Sequence, residues 1–330
     1  MASVRQGVEP AGAGSTPAGA QAPIKAIKLK HPWRMVAAVV LTLAVVLFVW
    51  DAALRPGYGW PDYIKYLFDR RITLAAFNTL QLTVYSMVIA IILGLGLAVM
   101  RLSPNPVVKA VAWVYLWIFR GTPVYVQLVF WGLISVIYTS IDVGLPGSTP
   151  LVSWETEAVL NSFTLAVIGL ALNEAAYMAE IVRAGLLSVD RGQEEAATAL
   201  GMSWGQTMRR VIVPQSMRII IPPTGNEVIS MLKTTSLVVA IPYGFDLYNR
   251  ARDISAETFN VVPMLLVAST WYLFFTSILM VGQYFLEKRF SRGVGALKLD
   301  RNAPIDNSTV VTGGPQLPRS ETTPQSGDGA

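Results

Sequence analysis

The chain contains no cysteine and only one histidine, His31. The first absence removes disulfides, thiolate metal sites and cysteine nucleophiles. The second leaves no histidine cluster to build a metal or catalytic centre. Charge is scarce as well: 14% of residues are charged against 53% hydrophobic, whereas soluble domains carry about 25% charged residues. The phosphate-binding pattern GxxxxGK[ST] is missing, so the backbone cradle that holds a nucleotide's phosphates is not encoded here. No nucleophile, base and orienting group gather in one region. The sequence therefore reads as a non-enzyme, with no metal site and no nucleic-acid partner expected.

Long apolar runs are what the chain does have. A helix needs about 20 apolar residues to cross a hydrocarbon core of roughly 30 Å, and candidate spans fall at 34–50, 75–100, 118–139, 158–182, 223–241 and 262–285. Trp33 and Trp50 bracket the first, as an interfacial aromatic belt does. Residues 107–139 are too long for one crossing. We place 106–117 along the interface and start the span after Arg120-Gly121-Thr122-Pro123, with the proline in its first turn. With the N-terminus inside, the inner segments 1–34, 101–117, 183–222 and 286–330 hold 18 Lys and Arg, and the outer segments 51–74, 140–157 and 242–261 hold 6. That asymmetry places both termini in the cytoplasm. The ends are rich in Ala, Gly, Pro, Ser and Thr, and composition marks 1–32 and 291–330 as disordered tails. The expected organisation is a tail, an extra transmembrane helix over 33–50, an outer segment over 51–72, a transmembrane core over 73–290 and a second tail. The fold class is an all-α polytopic membrane protein of about six spans, set in the lipid of the cytoplasmic membrane.

The most informative stretch is polar and lies between two apolar runs, from Gly192-Gln193-Glu194-Glu195-Ala196-Ala197 through Gly201 to Val213-Pro214. Asp190 can cap a helix start, with Gln193 reaching back in a capping box. Gly201 suits the left-handed residue that closes this helix. Ser203 and Gln206 repeat the capping pattern for a second helix ending before Pro214. The loop over 184–218 is then a compact helix-turn-helix. Ala196, Ala197 and Ala199 leave a smooth surface for a groove, and Glu194 and Glu195 can pair at its rim. It reads as a docking element that receives force from another protein; an ordinary amphipathic connector is the plain alternative.

Polar residues at membrane depth mark a pathway. Asn226, Ser230 and Lys233 share one helix face by their i, i+4, i+7 spacing. An unpaired charge at Lys233 would cost roughly 2.5–3.5 kcal/mol on insertion scales, so it should face water, a substrate or a partner. Glu174 lies at similar depth on its own span, and a Lys233–Glu174 pair is expected in one transport state, the plain alternative being that Lys233 bonds backbone carbonyls or helix ends. Asn173 and Tyr177 form a second stripe facing the pathway, whereas Glu180 and Arg183 read as a solvated i, i+3 pair. Arg120 reads as a snorkelling anchor. Asn78, Gln81 and Tyr85 are assigned to helix packing, and Gly94 and Gly96 to close helix approach.

Glu195-Ala196-Ala197, Gly201, Val211 and Val213-Pro214, at these spacings, resemble the signature loop of membrane subunits of ATP-binding cassette importers. Val211 and Val213 stand where the family usually has Ile and Leu. Asn78-Thr79-Leu80, Arg120-Gly121-Thr122-Pro123 with Gln127, Ala176-Tyr177, Glu180, Arg183, Leu232-Lys233 and Thr235-Ser236-Leu237 narrow the resemblance to polar amino-acid permeases. Thr234 departs from the Asp that many relatives carry. The resemblance covers about 73–290 and implies a five-helix core beside the extra first helix. It implies a cytoplasmic ATP-binding subunit dimer that binds ATP and Mg, with no cofactor in this chain. It further implies a second permease subunit, identical or paralogous, and an extracytoplasmic amino-acid-binding protein. Gln193, Glu195, Ala196, Ala197, Gly201 and Pro214 would couple to the ATPase. Asn173, Glu174, Tyr177, Asn226, Ser230, Lys233, Ser236, Arg120, Thr122 and Pro123 would line the pathway or its gate. An ion-gradient-driven secondary transporter is the alternative; it suits Glu174 and Lys233 but gives the loop no task, and no inverted repeat of broken helices is visible.

Overall fold

The computed structural model describes residues 32–144 and 150–290; both expected tails lie outside them, apart from Pro32. The chain forms two compact units that divide between Trp60 and Pro61. The first holds helix α1, Pro32–Leu54, followed by a short turn closed by Gly59. Arg55 pairs with Asp51 one helical turn back, and the Trp60 indole N–H donates to the Ala52 carbonyl.

The second unit is a helical bundle. Its elements are α2 (Trp60–Leu67, which begins at the division), α3 (Arg70–Leu102), α4 (Pro106–Gly121), α5 (Val124–Gly132) and α6 (Ile134–Ile137). A two-stranded antiparallel hairpin follows, β1 (Ser140–Val143) with β2 (Val152–Glu155), pairing Ile141 with Trp154. Then come α7 (Thr156–Val159), α8 (Ser162–Leu187), α9 (Arg191–Ala199) and α10 (Trp204–Thr207). A π-helical turn, Met208–Ile212, leads into α11 (Val213–Thr234), a 3₁₀ segment (Thr235–Ala240), α12 (Leu247–Thr258) and α13 (Val261–Phe290).

Four helices, α1, α3, α8 and α13, are long and apolar enough to cross a membrane. They contain the spans expected at 34–50, 75–100 and 262–285, and α8 takes up the span expected at 158–182 from Ser162 onward, its first four residues lying in α7 and the connection to α8. The other two expected spans are broken. Residues 118–139 are divided among α4, α5 and α6, and 223–241 are shared by the end of α11 and the 3₁₀ segment. The break at Pro123 falls where the span is expected to start, whereas apolar composition sees continuity where Leu133 and the Thr234-Thr235-Ser236 run interrupt the helices. Nor is α4 a detached interfacial helix, for it packs against α3 and α8, with the Tyr115 hydroxyl donating to the Leu172 carbonyl at 2.7 Å.

Helix α8 is the centre of the bundle, touching α3, α4, α5 and α11. Ala166, Ala171, Ala175, Ala176 and Ala179 are all buried along it, and small side chains let neighbouring backbones approach where the hydrophobic effect supplies no drive. Gly94 makes the tightest approach of α3 to it: a Cβ there would stand 2.6 Å from the Met178 Cβ. Gly96, assigned the same role from sequence, faces open space. A second core gathers Ile72, Leu232, Leu247, Ile254, Met264 and Val267 around α12 and α13. At that end the Thr79 hydroxyl accepts from the Leu247 amide, and the Asn78 amide donates to the Phe245 carbonyl. Asn78 therefore packs, as expected, while Gln81 is exposed.

Candidate functional site

A proline that follows a helix orphans the carbonyl four residues earlier, because it has no N–H to offer. Pro123 does this to Phe119 at the end of α4. Two side chains replace the missing donor: Asn173 Nδ2 at 3.0 Å and Gln127 Nε2 at 3.0 Å. Gln127 Nε2 also donates to the Thr122 carbonyl at 3.1 Å and to Thr122 Oγ1 at 2.7 Å. Its own Oε1 accepts from Asn173 Nδ2 at 3.1 Å. The Thr122 hydroxyl, in turn, donates to the Ile118 carbonyl. Irregular backbone at membrane depth persists only where it is buried in protein, with its polar groups met in this way, or where it lines a water-filled cavity.

The break opens onto a cavity of about 530 Å³ whose wall includes Arg120, Gly121, Thr122, Pro123 and Val124 from the break, Asn173, Glu174 and Tyr177 from α8, and Glu227, Ser230 and Thr234 from α11. That is the size range of small-molecule sites. The structure therefore brings Arg120, Thr122, Pro123, Asn173, Glu174, Tyr177 and Ser230 together. Asn226, Lys233 and Ser236 are absent from the lining. Glu174 is buried, with its Oε1 unpartnered, and the carboxyl beside it belongs to Glu227. The expected Lys233–Glu174 pair is not formed: Lys233 is exposed, and among the described residues it joins no ion pair. The reason is rotational. Glu227, Ser230 and Thr234 occupy the inward half of α11, so Asn226 and Lys233 fall on its outer half.

Arg120 does not snorkel away from the site. Its guanidinium lies over the Tyr177 ring, 5.5 Å from the centroid, a cation–π geometry. Glu180 and Arg183 do pair, at 2.7 Å, but the pair is not simply solvated. Glu180 also approaches Arg101 of α3 at 3.8 Å, and both of those side chains are 21% exposed. The trio ties the end of α3 to α8.

The polar loop folds largely as its residues dictate. Asp190 caps α9 through the Gly192 amide. Gln193 does not reach back; its Oε1 instead accepts from Gln215 Nε2 of α11 at 3.2 Å. Gly201 has φ +78°; its amide donates to the Thr198 carbonyl and that of Met202 to Ala197, the paired bonds of a Schellman ending. Ser203 and Gln206 form a full capping box. The helix does not end before Pro214. The π turn widens the backbone ahead of the proline, which sits in the first turn of α11, and the chain runs on as helix. Ala197 is buried in the loop, whereas Glu195, Ala196 and Ala199 face outward. Beside them Leu200 and Trp204 are 82% and 69% exposed, a large apolar surface on an otherwise polar loop.

A multi-pass helical bundle with a polar cavity at a broken helix, and a structured polar loop between two of the cavity's helices, defines a membrane transport subunit. Residues 86–292 match the family of binding-protein-dependent transport system inner membrane components, and the chain belongs to that family. It is 59% identical over 272 residues to the arginine transport system permease protein of Corynebacterium glutamicum, covering 82% of this chain and 84% of the relative. It is 34% identical to the nopaline transport system permease protein of Agrobacterium fabrum, over 68% of this chain and 91% of the relative. Among solved structures it is similar to an amino acid ABC transporter crystallised with histidines, with TM-score 0.56 and 34% identity over 68% of this chain and 96% of that one. Its fold is also that of the MetNI methionine ABC transporter, with TM-score 0.54 and 15% identity over 67% of this chain and 97% of that one.

Proposed function

We propose that the chain is the permease subunit of an ATP-driven importer that carries an amino acid with a cationic side chain across the cytoplasmic membrane. The observation that supports this most directly is connectivity. The polar loop joins α8 to α11, the two helices that supply Glu174 and Glu227 to one cavity. A partner pressing on the loop moves both walls of the site, and Gln193–Gln215 fastens α9 to α11 as it does so. The exposed Leu200 and Trp204, with Glu194 and Glu195 beside them, suit a groove on a cytoplasmic ATP-binding subunit dimer, which would hold the ATP and Mg. A second permease subunit completes the pathway, and an extracytoplasmic binding protein delivers the amino acid, with both termini of this chain on the cytoplasmic side. ATP-driven closure of the ATPase dimer alternates the access of the cavity. The substrate class follows from two adjacent carboxyls, Glu174 and Glu227, with no lysine or arginine paired to either among the described residues. A buried carboxylate is costly unless a cation meets it. The arginine permease similarity points the same way.

The test is uptake into proteoliposomes holding the permease, its ATP-binding subunit and the binding protein. Radiolabelled arginine should enter only with nucleotide on the ATPase side, and Glu195→Arg should abolish both uptake and co-purification of the ATPase. Uptake that follows an imposed ion gradient without nucleotide would establish the secondary-transporter reading instead.

A further inference from the structure

The cavity has a second polar end that the carboxyls do not explain. Helix α5 begins at its rim, and its N-cap is Pro123, which supplies no side-chain cap. Neighbouring helices are capped by side-chain oxygens, α4 by Asn105 and α8 by Asn161. The first N–H of α5 to find a backbone acceptor is that of Gln127, on the Pro123 carbonyl. Those of Val124, Tyr125 and Val126 have no protein acceptor among the described residues. A helix start with bare amides carries partial positive charge and receives anions. Arg120 stands beside it in the same wall, exposed and in no ion pair among the described residues. A helix start alone would not define a site. Here the same cavity also holds Glu174, 7% exposed, with a buried and unpartnered Oε1. One wall thus offers donors without an acceptor, and the other a pair of adjacent carboxyls, Glu174 against Glu227, with no lysine or arginine paired to either among the described residues. A ligand that satisfies both carries an anion and a cation, as an amino acid does.

We propose that the N-terminal end of α5, with Arg120 beside it, is the subsite for the substrate's α-carboxylate, while Glu174 and Glu227 take its cationic groups. This rests on the reading of the cavity as the amino-acid site. Pro123 acquires a positive role in it: a Ser, Asp or Asn there would cap α5 itself and occupy the amides the carboxylate needs.

The test is direct binding to the permease–ATPase complex in nanodiscs, without the binding protein, so that its selectivity does not enter. Labelled L-arginine is displaced by L-arginine and by L-argininamide, which keeps both cationic groups and lacks the carboxylate. The amide should bind roughly 10-fold or more weaker, the scale of charge-assisted hydrogen bonds. Val124→Pro removes one bare donor and no helical bond, since the first helical position accepts proline. Pro123 already has φ −62° and ψ 133°, the extended conformation that precedes a proline. V124P should weaken arginine about 3-fold or more and leave argininamide unchanged, narrowing the gap between them. Should V124P not assemble, Pro123→Asp decides by the same comparison: its self-cap should weaken arginine while raising the thermal midpoint. Equal binding of arginine and its amide by the native complex, or equal weakening of both in the variant, overturns the subsite and leaves the substrate reading intact. Failure of the native complex to bind arginine or any other cationic amino acid overturns that reading and the subsite with it.

Discussion

The clamp on the broken helix makes a sharp energetic prediction, because two side chains share one carbonyl. Gln127→Met leaves the Phe119 carbonyl with its Asn173 donor, but it removes the side-chain donors from the Thr122 carbonyl and hydroxyl and the acceptor from Asn173. Lost bonds cost about 1 kcal/mol each in soluble proteins and average about 0.6 kcal/mol between membrane helices, so the single change should cost about 2 kcal/mol. Asn173→Val loses two bonds, to the Phe119 carbonyl and to Gln127 Oε1, and costs about 1–2 kcal/mol on the same scale, with Gln127 still serving Phe119. The double variant differs in kind. Pro123 has no N–H, so the Phe119 carbonyl then has no donor at all, and an orphaned carbonyl adds a further penalty of about 1–3 kcal/mol. The Gln127–Asn173 bond, lost in each single but only once in the double, offsets about 0.6–1 kcal/mol of that penalty. The pair should still lose about 1 kcal/mol beyond the sum of the singles, where independent sites add within about 0.3–0.5 kcal/mol. Thermal unfolding of the solubilised complex reads this out at about 2–4 °C per kcal/mol for a body of this size. Strict additivity would refute the claim that these two amides jointly replace the proline's missing donor.

Three further outcomes test other contacts. Gly94→Val should lower the unfolding midpoint by several degrees, because its Cβ meets Met178 Cβ at 2.6 Å and overpacking costs about 1–3 kcal/mol, while Gly96→Val, facing open space, should leave the midpoint within a degree or two. Gly201→Val forces a branched side chain into φ +78° at a cost of roughly 1–2 kcal/mol; in the reconstituted importer it should lower transport-coupled ATP hydrolysis more than Gly205→Ala, whose site is open. Glu180→Gln leaves two arginines without a counter-charge, and an unfolding titration should show a loss of about 1–2 kcal/mol, between the values for exposed and buried pairs.

Much of this was legible in the residues because the signals were local. Gly201, Ser203 and Gln206 have one conformation that suits their backbone and side-chain chemistry, and they adopt it. The break at Pro123 was legible too, since the apolar run around it is too long for one crossing. What sequence could not supply was rotation. Asn226-Ser230-Lys233 and Glu227-Ser230-Thr234 are equally good helical stripes that share Ser230 and differ by one residue's turn, about 100°. Spacing cannot say which half of α11 faces α8, and the visible lysine drew attention to a stripe that shares only Ser230 with the cavity lining, so Glu227 was missed. The one available signal was its partner: a carboxyl in the middle of α8 needs something polar opposite, and Glu227 is the acidic residue of α11. The β-hairpin was missed for a different reason. Ile141, Val143, Val152 and Trp154 do alternate with polar neighbours, but each strand is four residues long, too short for a period-two pattern to stand out.

The prolines explain why the site lies where it does. A membrane helix that keeps every backbone bond offers only side chains to a ligand, since its amides and carbonyls are spent on one another. Each proline near this cavity releases some of them, and each release is met differently. At Pro123 the freed carbonyl is taken by Gln127 and Asn173, while the amides that follow are left bare. At Pro214 the backbone widens into a π turn and the helix continues. At Pro222 and Pro223 the interruption falls within α11 and frees the carbonyls of Arg218 and Ile219 one turn earlier, while Gln283 of α13 braces the kinked stretch by donating to the Pro222 carbonyl at 2.8 Å. Among the described residues, the first of these leaves unmatched donors, and it faces the buried Glu174 and the half-buried Glu227. The other two lie along the stretch of α11 between the polar loop and Glu227, where missing i→i−4 bonds make a helix easier to bend. The same residue type thus serves two needs: a fixed break that presents backbone to the cavity, and a compliant stretch through which the loop can move one wall of it.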